Sequence, residues 1–433
     1  MARDVNPPRG MRDFLPADKQ RRERALAIIR EVFRAHGFDE IETPVVEDFD
    51  RLHSGLGGDN EKLGFSVLKR GLTHEDLSAA AAHGDVHGLA DLGLRFDLTV
   101  PLARFYATHR AELPATFRAI QIAPVWRAER PQKGRYRQFV QCDIDIIGDD
   151  TQRAEVELIT ATASALDALG LTECTIRVND RRLLHGLLHY CGFSHDRMPQ
   201  VLISIDKLDK IGVDGVIAEL SEEGPDAAAV LGGLLERIAP HLERGGVPMT
   251  TTDILSVLPE GVDPDAVAAM ETLAQALTDL PDGVSVAFDP TLVRGMGYYT
   301  GTIYEISHPG SGSSVGGGGR YDGMIGRFLG QDVPAAGFSI GFERVVDLIS
   351  VANEADPDAV ILVHDMLAGE LTLERLMSLK NELVASGKRV RLERRTKNLN
   401  PVLERAAEAG YSQFAFVTAE THNVGDLSFK QLG

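Results

Sequence analysis

Two alternating stretches either side of a basic loop restrict this chain more than any other feature. In "RAIQIAPVWR" and "RQFVQCDIDIIG" side-chain character switches residue by residue, the period of a β-strand. Arg127, Arg130, Lys133, Arg135 and Arg137 fall within the eleven positions that connect them. A connection this short reads as a hairpin, so the two strands are expected to pair antiparallel.

On the second strand Phe139, Gln141, Asp143 and Asp145 face one way, and Val140, Cys142, Ile144 and Ile146 the other. On the first, Ile120, Ile122 and Trp126 alternate with Gln121, Ala123, Val125 and Arg127, so Arg127 is expected to share the polar floor with Gln141 and Asp145. An antiparallel sheet with one solvated face would also give this alternation. The loop argues for more than that. At net charge −19 the chain repels phosphate overall, so a local run of arginines is informative. Guanidinium offers phosphate a planar fork that an ammonium group does not. Fixed cations beside fixed carboxylates suit a small ligand that carries both signs.

Three further stretches repeat the theme. "LRFDLT" puts Asp97 and Thr99 at alternate positions, on one face if the segment is a strand. "LVRGMGYYTG" sets Arg294 ahead of Tyr298 and Tyr299. "GFSIGFERVV" carries a strand into a helix with Arg344 in its first turn, an unfavourable place for a cation unless an anion is bound there.

The length of 433 residues is enough for about three domains. "DKQRRERALAIIREVFRAHG" reads as an amphipathic helix stopped by Gly37, and "FDEIETPVVE" as a short strand closed by Pro44. Residues 64–93 look like a surface insertion with a helical piece, and "LGLRFDLTVPLARFYATH" like a strand, a turn at Pro101 and a helix. A helix ending at Gly170 and the strand "CTIRVND" lead into a Leu/Ala-rich helical stretch over about 181–280. After the acidic linker "ANEADPDA", strands and helices alternate in a small parallel α/β unit. Cys142, Cys174 and Cys191 are odd in number, widely spaced and form no C-x-x-C, which fits a reducing cytoplasm. No signal-peptide pattern and no membrane-length apolar run is evident.

These residues carry a resemblance. "FRAIQIAPVWRAERPQKGRYRQFVQCDIDIIG" resembles the motif 2 strand-loop-strand of class II aminoacyl-tRNA synthetases, in the form found in histidyl-tRNA synthetases. "PAAGFSIGFERV" is similar to motif 3 and "GFDEIETPVVE" to motif 1, while "TLVRGMGYYTGTIYE" and "SSVGGGGRYDGMIG" resemble the two histidine-specific signatures. "RGMRDFLP" is similar as well.

The resemblance implies an α+β fold: an antiparallel catalytic sheet with a helical insertion, plus a C-terminal α/β anticodon-binding domain. The expected division is 1–180 and 281–352 for the two parts of the core, 181–280 for the insertion and 356–433 for the anticodon domain. It implies a cytoplasmic homodimer, packed through motif 1, that uses ATP and Mg²⁺ to join L-histidine to tRNA(His), with no membrane partner. Arg127 would hold the α-phosphate and the substrate carboxylate, Glu129 and Arg135 would contact adenine and the outer phosphates, and Phe139 would stack on adenine. Arg344 would brace the γ-phosphate, and Arg294 would sit at the α-phosphate. Asp97, Leu98, Thr99, Gln141 and Asp145 would meet the amino group and imidazole, with Tyr298, Tyr299 and Tyr321 lining that pocket. Gln132 and Lys133 would reach the tRNA acceptor end.

Two positions depart from the family pattern. Gly297 stands where the family usually has Asp before the paired tyrosines, and Asp97 where many bacterial members have Glu. Other readings fit less of the chain. His185 and His189 share the spacing of helical zinc ligands but lack the H-E-x-x-H glutamate. "VGGGGRYDG" lacks the Lys-Ser/Thr of a phosphate loop and opens no evident helix, so close backbone packing suits it better. A synthetase-like regulatory subunit of ATP phosphoribosyltransferase tends to lose the motif arginines and the anticodon domain, whereas Arg127, Arg294 and Arg344 are kept here. An amino-acid sensor that does not use ATP leaves those arginines unexplained.

Overall fold

The computed structural model describes residues 5–53, 63–84, 87–132, 134–222, 224–294, 298–349, 356–365 and 371–432. The chain divides into two compact units, Met1–Arg12 with Leu26–Ile349, and Asp13–Ala25 with Ser350–Gly433.

Among the described residues, the first unit is built on an eight-stranded sheet. Its strand order is Asp39–Glu40, Phe117–Trp126, Gln138–Ile147, Ala335–Ile340, Gly316–Arg320, Thr302–Ser307, Cys174–Asp180 and Val284–Phe288. The six inner strands run antiparallel, and each edge strand is parallel to its neighbour. The basic loop joins a hairpin that runs from Phe117↔Ile147 to Trp126↔Gln138 without a slip.

This register sorts the side chains into rows. One row crosses seven strands as Ile120, Ile144, Phe338, Gly318, Tyr304, Val178 and Phe288, all of its side chains buried. The next row carries Gln121, Asp143, Ser339, Gly317, Glu305 and Arg177. The apolar row belongs to the core, where the helix Arg153–Ala168 packs against these strands. Gly318 has no room for a side chain, since a Cβ there would lie 2.0 Å from the Gly337 carbonyl and 2.8 Å from the Tyr304 ring. The Tyr304 and Phe338 rings, 4.5 Å apart, fill the gap it leaves.

Between the parallel strands Cys174–Asp180 and Val284–Phe288 the chain is helical, as expected. It forms Arg181–Cys191, Met198–Ile205, Leu208–Ser221, Pro225–Leu242, Thr251–Val257 and Pro264–Ala276. Asp180, in extended conformation, caps the first of these by accepting from Arg182 N at 2.7 Å.

Several expectations need correction. "FDEIETPVVE" forms two strands in different sheets, Asp39–Glu40 and Val46–Asp48. Residues 64–93 hold a helix, His74–His83, but also two strands, Phe65–Leu68 and Ala90–Leu94, that complete a three-stranded sheet with Val46–Asp48. That strand stops at Leu94, so Asp97 and Thr99 do not share a strand. Thr99 opens the helix Thr99–His109 and Pro101 sits inside its first turn, where a missing N–H does no harm. The glycines 316–319 form a strand, and a helix, Asp322–Leu329, follows them. Part of the expected acidic linker lies outside the described residues, and Asp356 already opens a strand.

In the second unit the strands Arg389–Arg394, Asp356–His364 and Tyr411–Val417 are parallel, and Lys430–Gln431 adds an antiparallel edge. Alternation along the central strand sends Val360 and Leu362 into one cluster with Leu376, Leu379 and Leu383. Ile361 and Val363 enter a second cluster with Ala406 and Tyr411. A parallel sheet covered on both faces requires this two-sided apolar pattern.

Candidate functional site

Above the polar row of the first unit lies a cavity of about 550 Å³. One end is cationic. Arg127 follows its strand and is aimed by its own Nε, which donates to Phe96 O at 2.9 Å. Its guanidinium carbon stands 5.0 Å from the Phe139 ring centre. Arg344, in the first turn of the helix Phe342–Leu348, donates from Nε to Gly134 O at 3.2 Å and from Nη1 to Ser314 O. Arg135 lies 3.6 Å from Glu129. Arg294 donates from Nη1 to Glu305 at 2.7 Å. Arg344 loses its proton more readily than an ordinary arginine, first through burial and then through repulsion from Arg135, Arg127 and Arg294, with Glu305 opposing. Like charges held this close call for an anion.

Arg294 is held by a chain that crosses the sheet. Glu305 accepts from Arg294 and, at 2.6 Å, from Arg177, whose other nitrogen reaches Asp289 at 3.1 Å. Gly317 makes the space, because a Cβ there would lie 2.7 Å from Arg294 Nη1. Burial works against the charge on Arg294, but Tyr299 and Glu305 keep its pKa above the usual arginine range.

The other end is acidic. Asp97, Asp143 and Asp145 are 2%, 5% and 5% exposed. Asp145 accepts from the Tyr321 hydroxyl at 2.5 Å and lies against Gly337, where a Cβ would come within 2.0 Å of its Oδ1. Burial pushes Asp145 up to about 7, with the Tyr321 bond opposing and Asp97 adding to the rise. Burial also raises Asp97, while the Val100 amide and Arg127 pull it back. Asp143 stands well above the carboxylate range through burial and then through the neighbouring Asp145. Tyr298 and Tyr299, with ring centres 4.8 Å apart, are buried beside them, and Tyr298 meets Tyr321 edge-on at 6.0 Å.

Two parts outside the cavity hold it in shape. The buried Arg95 donates to Thr43 O at 2.7 Å, Pro44 O at 3.3 Å and Pro124 O at 3.0 Å, tying the segment before the helix to the connection at Thr43 and Pro44 and to the strand Phe117–Trp126. The segment 9–12 crosses the basic loop. Arg137 N donates to Gly10 O at 2.8 Å, Arg12 stacks 3.4 Å over Tyr136, and Arg12 pairs with Glu343. Glu343 in turn accepts from Val140 N at 3.1 Å.

Asp97, Thr99, Arg127, Glu129, Arg135, Phe139, Gln141, Asp145, Arg294, Tyr298, Tyr299, Tyr321 and Arg344 all line the cavity. Leu98 does not: its side chain is in the core and only its carbonyl is used, accepting from Gln121 Nε2 at 3.0 Å. Gln132 is exposed at the loop tip, where its backbone pairs with Arg135. Lys133 and Gly297 lie outside the described residues. Arg177, Glu305 and Ser339 also line the cavity, as do Asp206, Asp209 and Lys210 from the helical insertion. None of these six was foreseen as a site residue. A charged residue in mid-strand, as in "CTIRVND", was the available signal for Arg177. Among the described residues no group of three or more His, Cys, Asp or Glu is placed to hold a metal ion. No helix of the described residues is long and apolar enough to cross a membrane.

Comparison with known proteins agrees with this geometry. Residues 10–345 match the family model described as histidyl-tRNA synthetase. A histidine–tRNA ligase of Leifsonia xyli is 68% identical over 432 residues, covering 100% of this chain and 99% of its own. One from Aeropyrum pernix is 41% identical, covering 79% of this chain and 73% of its own. The crystal structure of a histidyl-tRNA synthetase from a Nostoc species superposes with a TM-score of 0.74 at 26% identity, over 99% of this chain and 95% of that one.

Proposed function

Because the chain belongs to the histidyl-tRNA synthetase family and so charges tRNA with histidine, we propose that this cavity carries out the ATP-dependent first half of that reaction. The single observation behind the assignment is that the guanidinium groups of Arg127, Arg135, Arg294 and Arg344 share one cavity with the buried carboxylates of Asp97, Asp143 and Asp145.

In this reading the carboxylate of histidine attacks the α-phosphorus of ATP. Pyrophosphate leaves, and histidyl-adenylate forms. The pentacoordinate phosphorus carries extra negative charge, and fixed donors aimed at it stabilise it without reorganising. Arg127 and Arg294 are assigned to that charge, and Arg135 and Arg344 to the outer phosphates. Phe139 stacks on adenine, with Glu129 at its edge. Asp97, Thr99, Gln141 and Asp145 take the amino group and imidazole, and Tyr298, Tyr299 and Tyr321 enclose them. Such a pocket rejects apolar isosteres, whose binding would leave buried polar groups unpaired.

Mg²⁺ fits as an ion carried in on the phosphates, since it needs only one or two protein carboxylates. Asp206 and Asp209 would hold it, on the side of Arg177 and Arg294. When bound it neutralises charge on the phosphate oxygens. Gln132 and Lys133 are assigned to the tRNA end, residues 356–433 to the anticodon, and the segment around Pro44 to the interface of a homodimer in the cytoplasm.

A regulatory subunit without catalysis would have no use for Arg127, Arg294 and Arg344 in one cavity. Histidine-dependent exchange between ATP and pyrophosphate tests the assignment. Exchange abolished by Arg127→Ala supports it, and absence of exchange from folded protein with Mg²⁺ refutes it.

A further inference from the structure

Asp143 lies on the cavity floor, yet none of the roles above uses it. It sits between Gln141 and Asp145 on one strand face, opposite Gln121 on one neighbouring strand and Ser339 on the other. Gln141 Nε2 donates to it at 3.3 Å, and the Ser339 hydroxyl donates as well. The charged and titratable groups that face it are Asp145 on its own strand, Asp97 and Arg127 from the segments beside it, and Tyr299 from the opposite wall. Three buried carboxylates therefore share one nearby guanidinium, and burial together with mutual repulsion keeps them from all being ionised at once.

A second observation points to a cationic donor. Asp97 Oδ2 and Gln141 Oε1 are buried with no hydrogen-bond partner among the described residues. Both residues line this end of the cavity. Buried acceptors of this kind are rare unless something donates to them. An α-ammonium group brings three N–H donors and a positive charge on one atom.

Building on the reading that histidine occupies this cavity, we propose that Asp143 joins Asp97 in receiving the α-ammonium group, and that histidine binding expels a proton from the three-carboxylate set. The balance is simple. One carboxylic acid O–H bond breaks, its proton passes to the buffer, and N–H···O contacts from the ammonium group replace it. No covalent bond to histidine is made. Asp145 stands at about 7 and Asp143 well above the carboxylate range, so protons are present on the set at neutral pH. A cation arriving beside them lowers both. Protons and histidine then compete, and affinity weakens as pH falls.

Isothermal titration of histidine at pH 7.5, in phosphate and in Tris, reads the number of protons released per histidine bound. Free imidazole, with a pKa of about 6.5, can supply only about a tenth of a proton at that pH. The wild-type enzyme is expected to release clearly more than that tenth of a proton. Asp143→Asn is expected to release less than half as much and to bind histidine at least about tenfold more weakly, as loss of a charged hydrogen bond requires. The KM for ATP should be unchanged. Histidine binding without proton release overturns this inference and leaves the assignment of the pocket standing. An Asp143→Asn enzyme with wild-type affinity and proton count overturns it too. No binding of histidine at all removes the assignment, and this inference with it. Absence of release from the wild-type enzyme overturns the inference even if the variant does not fold.

Discussion

Asp145→Asn should gain stability relative to the wild-type enzyme as pH rises, while disabling the pocket. Burial carries the Asp145 carboxyl from 3.8 to about 7. A raised carboxyl adds stability that is complete below the unfolded value and is lost as pH rises to the folded one. At pH 5 part of that loss has occurred, and by pH 8 all of it. Between those points lie the two pH units from 5 to about 7, each worth about 1.36 kcal/mol, or roughly 3 kcal/mol in all. Asparagine does not titrate and escapes the loss. The stability of Asp145→Asn relative to wild type should therefore improve by roughly 3 kcal/mol on going from pH 5 to pH 8. Whatever the substitution does to the Tyr321 hydrogen bond is common to both pH values, so it cancels in the difference. Trp126, the sole tryptophan, borders the basic loop and reports on the cavity-bearing unit. Urea unfolding followed by its fluorescence, for both proteins at both pH values, gives the four numbers needed. A difference that stays flat from pH 5 to pH 8 would refute the claim that Asp145 is held protonated by burial. The same variant should lose histidine affinity, because the pocket trades stability for a charge that only substrate satisfies.

Arg294→Ala should slow adenylate formation by about 10²–10³-fold, as removal of one preorganised donor does, while histidine affinity changes far less. Single-turnover kinetics and equilibrium binding separate the two, and an equal loss in both would contradict the role. Its fold should hold, since Glu305 keeps Arg177 as a partner. Gly337→Ala places a Cβ 2.0 Å from Asp145 Oδ1 and should destabilise by about 1–3 kcal/mol with loss of histidine binding. Gly323→Ala, on a helix where a Cβ meets nothing within 4 Å, is the control and should be neutral or stabilising in thermal unfolding. Arg12→Ala removes the strap between the basic loop and Glu343, so the KM for ATP should rise several-fold with histidine affinity unchanged. A rise in the histidine dissociation constant alone would show that the strap serves the other end of the cavity.

The hairpin of the site could be read from sequence because each of its determinants is local: period-two alternation, a short connection and a cluster of like charge. What could not be read depends on register. Arg177 and Glu305 stand 128 residues apart and meet only because their strands pair directly. Four consecutive glycines are poor strand formers on their own. They form a strand here because both neighbouring strands pair with them, and the rings of Tyr304 and Phe338 take the space their side chains would need. Asp97 lines the cavity without belonging to a strand. Its Oδ1 accepts from Val100 N at 3.3 Å, a local bond at the start of a helix that competes with strand structure, while Arg95 is drawn away to the carbonyls of three other residues.

Rules for reading a fold assume that each residue helps to hold it, and this cavity collects groups that do not. Arg344 is repelled by Arg135, Arg127 and Arg294, and the buried aspartates resist ionisation, so these groups raise the free energy of the folded chain. On the proposed assignment, a ligand with phosphates at one end and an ammonium group at the other relieves both. On that assignment, the cations answer the charge of the triphosphate and the excess of carboxylates answers the charge of the amino acid.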